Sequence, residues 1–331
     1  GSGRSAKRQS AMVVHPLPTP PLQILRSLPP PLSSSAHKGQ AGKIGVLGGC
    51  ADYTGAPYYA AIAALKLGCD LSHVFCSAAA APPLKSYSPE LIVHGCLCEG
   101  SPPSAAAVEQ QAEAVERWLP ALSALVVGPG LGRDPTLHAV AARVLAAASA
   151  RGLPCVVDAD GLRLVADAPQ LVRGRRWTVL TPNAPEYARL LARFLPEGGE
   201  IADERARHLA LSAALGGAVV VRKGGEDLLS DGESLVVNAE AGSAKRSGGQ
   251  GDVLAGTTAT FLSWAKAAEE AGRLPAAGVA APLLAAYAGC FLTRRLSAAA
   301  FARHKRAMTA PDLIEAIGPV FEELCPVDLQ E

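Results

Sequence analysis

From Lys43 onward, short apolar runs rich in β-branched residues alternate with longer stretches whose apolar positions recur three and four apart. That alternation is the pattern of strands and helices in right-handed crossover units on a largely parallel sheet. Strands are predicted at 43–47, 71–75, 124–127, 155–157, 178–180 and 218–221, and helices at 58–67, 105–119, 136–150, 185–194 and 203–215. The segment 228–237, centred on Asp231-Gly232, reads as a hairpin. The implied fold class is α/β, a central mostly parallel β-sheet flanked by helices on both faces. An uncharged stretch at 274–293 has about the length of a membrane span. Pro275, Gly278, Pro282 and Gly289 interrupt it, so a buried helix starting near Val279, with Pro282 in its first turn, is the expectation.

Composition changes this picture little. Hydrophobic residues make up 49% of the 331, enough for a sizeable core, and 31 basic against 30 acidic residues leave a net charge of +1. No field of one sign favours nucleic acid. Eight cysteines are scattered through apolar segments without the spacing of a disulfide framework, so they read as reduced and intracellular. Cys96-x-Cys98, with only His94 nearby, reads as two strand or loop thiols rather than a metal site.

Charge is unevenly placed. No acidic residue precedes Asp52, while Arg4, Lys7, Arg8, Arg26, Lys38 and Lys43 are basic. Residues 1–36 read as a proline- and serine-rich lead-in whose short helical pattern is 22–28; Gly1-Ser2-Gly3 suits a cloning remnant or a translated leader equally, and Met12 is an alternative start. A cytoplasmic protein is expected, with mitochondrial or plastid targeting left open. Without the lead-in, 27 basic groups face 30 acidic ones, and residues 37–331 are expected to form one domain.

In an open parallel sheet, ligands bind beyond the carboxyl ends of the strands. The first strand runs into Gly48-Gly49-Cys50-Ala51-Asp52-Tyr53-Thr54-Gly55-Ala56-Pro57, where Thr54 is the expected helix cap. After 124–127 comes Gly128-Pro129-Gly130-Leu131-Gly132, whose glycines imply that a ligand or another chain segment passes close. Asp158-Ala159-Asp160-Gly161 offers two carboxylates, for capping or for a metal or phosphate site. In Thr181-Pro182-Asn183-Ala184-Pro185-Glu186-Tyr187, the amide and carboxylate suit both a capping box and a site for phosphate and hydrated magnesium. Neither a dinucleotide fingerprint nor a P-loop is present.

The strongest signal is Gly242-Ser243-Ala244-Lys245-Arg246-Ser247-Gly248-Gly249-Gln250-Gly251-Asp252, which leads into an apolar helix. Unpaired N–H groups at a glycine-rich helix start make an anion hole, strengthened by the helix dipole. Asp252 at its mouth is expected to be held ionised and aimed at a hydroxyl as general base.

Taken in order, His37-Lys38-Gly39-Gln40, the Gly48 to Pro57 loop, Tyr87-Ser88-Pro89-Glu90-Leu91, Val127 to Gly132, Asp158 to Leu162 and Gly248-Gly249-Gln250-Gly251-Asp252 resemble the ATP-dependent (S)-NAD(P)H-hydrate dehydratase family of the ribokinase-like superfamily. The resemblance implies that the S epimer of hydrated NADH or NADPH is restored to NADH or NADPH at the expense of ATP, through phosphorylation of the ring hydroxyl and elimination of phosphate. It implies that the hydrate meets Gly132, Asn183, Ala184, Pro185, Glu186, Tyr187, Ala188, Arg189 and Asp252. ATP would lie against Lys223, Gly224, Gly225, Glu226, Asp227 and the run Gly242 to Gly251. Magnesium would be held at Glu186, directly or through water. A homo-oligomer and a working partnership with an NAD(P)H-hydrate epimerase are compatible with this reading. The rivals are a vitamin-precursor or sugar kinase of the same superfamily, which the Tyr53 to Pro57 loop and Gln250 disfavour, and a nucleotide-sensing module without turnover.

Overall fold

The computed structural model describes residues 21–35, 37–100, 103–196, 201–274 and 278–327. The basic residues Arg4, Lys7 and Arg8 lie outside the described residues, as does Pro275. Among the described residues nine strands form one sheet, in the order β3-β2-β1-β4-β5-β6-β7-β8-β9. They are β1 (Lys43–Leu47), β2 (Leu71–Ser77), β3 (Ile92–Leu97), β4 (Ala124–Val127), β5 (Cys155–Val157), β6 (Thr178–Leu180), β7 (Val219–Arg222), β8 (Asp227–Ser230) and β9 (Leu235–Asn238). Strands β1 to β7 run parallel, and β8 and β9 form the expected antiparallel hairpin.

Strand β3 and the helix before it, α3 (Ala81–Tyr87), were not legible in the hydropathy pattern. His94-Gly95 interrupts the apolar run of β3, which is an edge strand and only half-buried. Pro82-Pro83 reads as a breaker, yet proline is tolerated in a first turn, where its missing N–H has no partner to lose.

Successive strand residues point to opposite faces, and each face has its own apolar layer. Val46, Val126, Val156 and Val179 enter one, which holds α2 (Gly55–Leu67), α9 (Gln250–Glu270), α10 (Ala281–His304) and α11 (Ala310–Leu324). Leu47, Val127, Val157 and Leu180 enter the other, beneath α4 (Ala105–Glu116), α5 (Pro135–Ala150), α6 (Gly161–Asp167), α7 (Ala184–Phe194) and α8 (Glu204–Ala214). Among the described residues no helix is long and apolar enough to cross a membrane. The stretch 281–293 is the buried first half of α10, with Pro282 in its first turn.

Helix α9 is apolar nearly all round and is buried from Val253 to Ala265. A side chain on Gly256 would run into the carbonyl oxygen of Ala60 in α2, and one on Gly289 of α10 into Thr258. Helix α9 therefore touches α2 through backbone and takes the Thr258 side chain against bare backbone of α10, and this close approach fixes where the N-terminus of α9 emerges.

The expected lead-in is divided by the structure. Residues Pro21–Ser27 form helix α1, and Ile24, Leu25 and Leu28 are fully buried in the layer that holds α10 and α11. Three apolar residues spaced one and three apart supply a face that composition alone conceals beneath the prolines. Truncating a fully buried leucine removes transfer energy and leaves a cavity, so Leu25→Ala is expected to lower unfolding stability by about 2–5 kcal/mol. Denaturant titration checks this, and a change under about 0.5 kcal/mol would mean that α1 does not belong to the cooperative core.

Candidate active site

The strand order reverses between β1 and β4, and the loops that leave their carboxyl ends lock together there. Gly49 N–H donates to Gly130 O at 3.1 Å, and Gly128 N–H to Leu47 O at 3.0 Å. A Cβ on Gly128 would strike the carbonyl oxygen of Asp158, so it is another chain segment that demands this glycine. Gly132 N–H donates to Asp160 Oδ2 at 2.9 Å, and its carbonyl pairs with His138 Nε2 at 2.8 Å. Asp160 thus ties two loops rather than capping α6, for which it makes no side-chain cap bond. Thr54 does not cap α2 either; its hydroxyl pairs with Tyr87 Oη at 2.8 Å.

Beyond β6 the capping box forms. Asn183 Oδ1 accepts from Glu186 N at 3.0 Å, and Glu186 Oε2 accepts from Asn183 N at 2.8 Å. Asn183, Ala184, Pro185, Ala188 and Arg189 are exposed along the start of α7, and Glu186 is half-buried. Tyr187 turns into the core, where its hydroxyl meets His208 Nδ1 at 3.1 Å, so only its backbone faces the loop.

Four charged groups converge where β5, β6, β7 and α9 meet. Asp158 is buried at the end of β5; its Oδ1 accepts from Thr181 Oγ1 at 2.8 Å and from Lys223 Nζ at 3.2 Å. Lys223 feels Asp158, Glu186 and Asp252, which together outweigh the cost of its burial and raise its pKa. Burial, reinforced by the charge of Asp158, raises the Glu186 carboxyl. The same two causes in the same order push Asp252 up to about 8, with Lys223 opposing them. The helix dipole was expected to keep Asp252 ionised; desolvation and the like charge of Asp158 act against it and raise the carboxyl.

Gly249 caps α9 with φ at 89°, a left-handed conformation, and a Cβ there would lie 2.6 Å from Ala310 Cβ and 2.7 Å from the Tyr59 ring. Only glycine opens this helix end. Beside it lies a cavity of about 550 Å³ that brings together Lys223, Gly224, Gly225, Asp227, Gly242, Ser243, Arg246, Gln250 and Gly251. Glu226, Ala244, Lys245, Ser247, Gly248 and Gly249 are not among its lining residues. Gln250 Nε2 donates to Lys245 O at 3.1 Å and to Ser247 Oγ at 2.8 Å, pinning the loop from which Arg246 reaches the cavity.

The wall supplied by α10 was missed in the sequence, above all Arg294. Its guanidinium grips Asp227 with two bonds, of 2.7 and 2.8 Å, and donates to the carbonyls of Gly224, Gly225 and Glu240. Asp227, expected to touch a nucleotide, spends its carboxylate on Arg294 and on Asn238 Nδ2. An arginine deep in an apolar helix, where a solvated cation has no place, was the available signal.

Among the described residues no group of three or more His, Cys, Asp or Glu could hold a metal ion. Magnesium itself keeps several waters and is bound by one or two carboxylates together with substrate phosphates rather than by a protein cage. Glu186 is a hard oxygen donor of the right kind.

A parallel sheet that delivers a glycine-rich helix N-terminus to the edge of a nucleotide-sized cavity defines a ribokinase-like α/β protein. The sequence model of NAD(P)H-hydrate dehydratase matches residues 44–319, and the chain belongs to that family. It is 49% identical over 303 residues to the ATP-dependent (S)-NAD(P)H-hydrate dehydratase of Homo sapiens, covering 92% of this chain and 84% of that one. It is 45% identical over 310 residues to the enzyme of the same name from Vitis vinifera, covering 92% and 87%. The ADP/ATP-dependent NAD(P)H-hydrate dehydratase of Bacillus subtilis co-crystallised with ATP/Mg2+ has the same fold, with a TM-score of 0.63 at 19% identity over 93% of this chain and 98% of that one. A ribokinase-like superfamily protein from Enterococcus faecalis reaches a TM-score of 0.71 at 19% identity over 92% and 95%.

Because the folded state favours protonated Asp252, stability is lost as pH rises from the ordinary carboxyl value of 3.8 towards about 8, and the loss is complete above that. Asp252→Asn removes the buried charge. Its melting temperature is expected to exceed that of the wild type by a margin that is small at about pH 5 and wide at about pH 9, as read by thermal melts. A margin independent of pH would rule out the elevated carboxyl.

Proposed function

We propose that this protein is an ATP-dependent NAD(P)H-hydrate dehydratase, a lyase that returns the S epimer of hydrated NADH or NADPH to the reduced dinucleotide while ATP becomes ADP and phosphate. The observation that carries the reading is the place of Asp252. It stands in the first turn of α9, next to Gly251 at the edge of the cavity, with Lys223 joining its field to that of Glu186.

Hydroxide leaves a ring carbon poorly, whereas phosphate leaves well. The ATP triphosphate would lie in the cavity formed by Gly224, Gly225, Gly242, Arg246 and Gly251, with the N–H groups at the start of α9 stabilising charge on the transferring phosphoryl group. Magnesium, held at Glu186 directly or through water, would supply neutralisation of that charge. The hydrate would meet Gly132 and the exposed start of α7 from Asn183 to Arg189, placing its ring hydroxyl at Asp252. Once ionised, Asp252 takes the hydroxyl proton and the oxygen attacks the terminal phosphorus; the ring nitrogen then drives phosphate out. Lys223, ion-paired to Asp158, opposes the upward push on Asp252 and so favours its ionised form. Because a single epimer is consumed, an epimerase that converts the other is the natural functional partner.

Incubation with ATP, magnesium and hydrated NADH is expected to restore the absorbance of NADH. Accumulation of a phosphorylated vitamin alcohol, with no recovery of NADH, would favour the rival kinase. Asp252→Asn is expected to lose about 10²–10⁴-fold in turnover while ATP affinity changes less than about threefold; comparable activity would remove Asp252 from the role of base. Chelation with EDTA is expected to abolish turnover and added magnesium to restore it, whereas turnover that persists without metal would contradict the role given to Glu186.

A further inference from the structure

In the course of its dehydration the hydrate gives up two protons, one from oxygen and one from carbon, and Asp252 accounts for the first. On the function proposed above, on which this inference rests, Asp252 takes the hydroxyl proton during phosphoryl transfer. Departure of phosphate then leaves the ring nitrogen doubly bonded to the former carbinol carbon. The reduced ring is regained only when the neighbouring methylene gives up a proton, and at that moment Asp252 is already protonated.

A second carboxylate faces the same place. The Asp158 side chain is only 4% exposed. Thr181 Oγ1 and Lys223 Nζ both bond its Oδ1, at 2.8 and 3.2 Å. No hydrogen bond from a described residue reaches Oδ2, which lies 3.7 Å from where a Cβ would stand on Gly251, the residue before Asp252. Oδ2 is therefore the oxygen of this carboxylate that the described residues leave free for a reacting group. Holding Lys223 requires Oδ1 alone and leaves the orientation of Oδ2 unexplained. The backbone beside it is also strained, since Ala159 adopts φ of 50°, and strain of this kind clusters at functional sites. Lys223 already neutralises the carboxylate, so a cation is not the natural occupant.

We propose that Asp158 is a second catalytic carboxylate, whose Oδ2 accepts the methylene proton in the elimination step. Phosphate leaves with the electron pair of its bond to carbon as the nitrogen lone pair forms the nitrogen–carbon double bond. The carbon–hydrogen pair of the methylene then becomes the ring double bond, the nitrogen recovers its lone pair, and the proton moves to Oδ2 and on to the departed phosphate. No further reactant is needed.

Rapid-quench single turnovers of the full chain with ATP, magnesium and hydrated NADH, measuring ADP and NADH separately, test the assignment. The wild type is expected to form the two in equal amounts. Asp158→Asn keeps both partners of Oδ1 and removes one repulsion from Asp252, so ADP is still expected to form. NADH formation is expected to lag it by about tenfold or more, with phosphorylated hydrate accumulating in phosphorus NMR. ADP and NADH that stay equal in the variant, whether both fall or both persist, would overturn the assignment and leave the departing phosphate as the proton acceptor. In Asp158→Ala, added formate is expected to restore the NADH step; ADP formation with no rescue by formate would count against a missing proton acceptor. Failure of the wild type itself to make NADH would sink the proposed function and this inference with it, whereas a working wild type with an unchanged ratio in the variants sinks the inference alone.

Discussion

The geometry of the site depends on one steric constraint, the backbone contact of α9 with its neighbours. Gly256 against Ala60, and Gly289 against Thr258, let three helices approach more closely than side chains would permit. A helix buried on every side cannot slide or tilt without displacing packed neighbours. Its N-terminus, opened by Gly249, is therefore held at a fixed height above the carboxyl ends of β5, β6 and β7. The anion-accepting N–H groups and Asp252 take their positions from that helix, so the accuracy of the polar site derives from apolar packing.

Electrostatics then divides the labour. Asp158, Glu186, Lys223 and Asp252 lie close enough together that Asp158 raises the proton affinity of Glu186 and Asp252, while the three carboxylates raise that of Lys223. With Lys223 paired to Asp158, burial and the like charge raise the Asp252 carboxyl while Lys223 opposes the rise. Two carboxylates in unlike surroundings are the arrangement by which one site carries out more than one proton transfer at neutral pH.

Much of the fold was legible because the central strands are short, β-branched and bounded by glycine or proline; β1, β4, β5 and β6 fall where the pattern places them. Strand β3 was hidden because an edge strand need not be apolar throughout, and α3 because its prolines occupy a first turn. The Asn183–Glu186 capping box was readable from spacing alone. Arg294 was not, since its partner Asp227 lies 67 residues away. Nor could sequence choose between capping and chemistry for Asp158, whose bond to Lys223 spans 65 residues. The upward push on the Asp252 carboxyl was hidden for the same reason: a helix start is local and visible, while desolvation and the charge of Asp158 arise only when distant segments meet.

The burial of α1 also bears on maturation. Ile24, Leu25 and Leu28 fill space beside α10 and α11, so a cut that removed them would open the core. Cleavage that leaves the core intact has to fall before Pro21, so the folded domain itself sets the downstream limit of any removable leader.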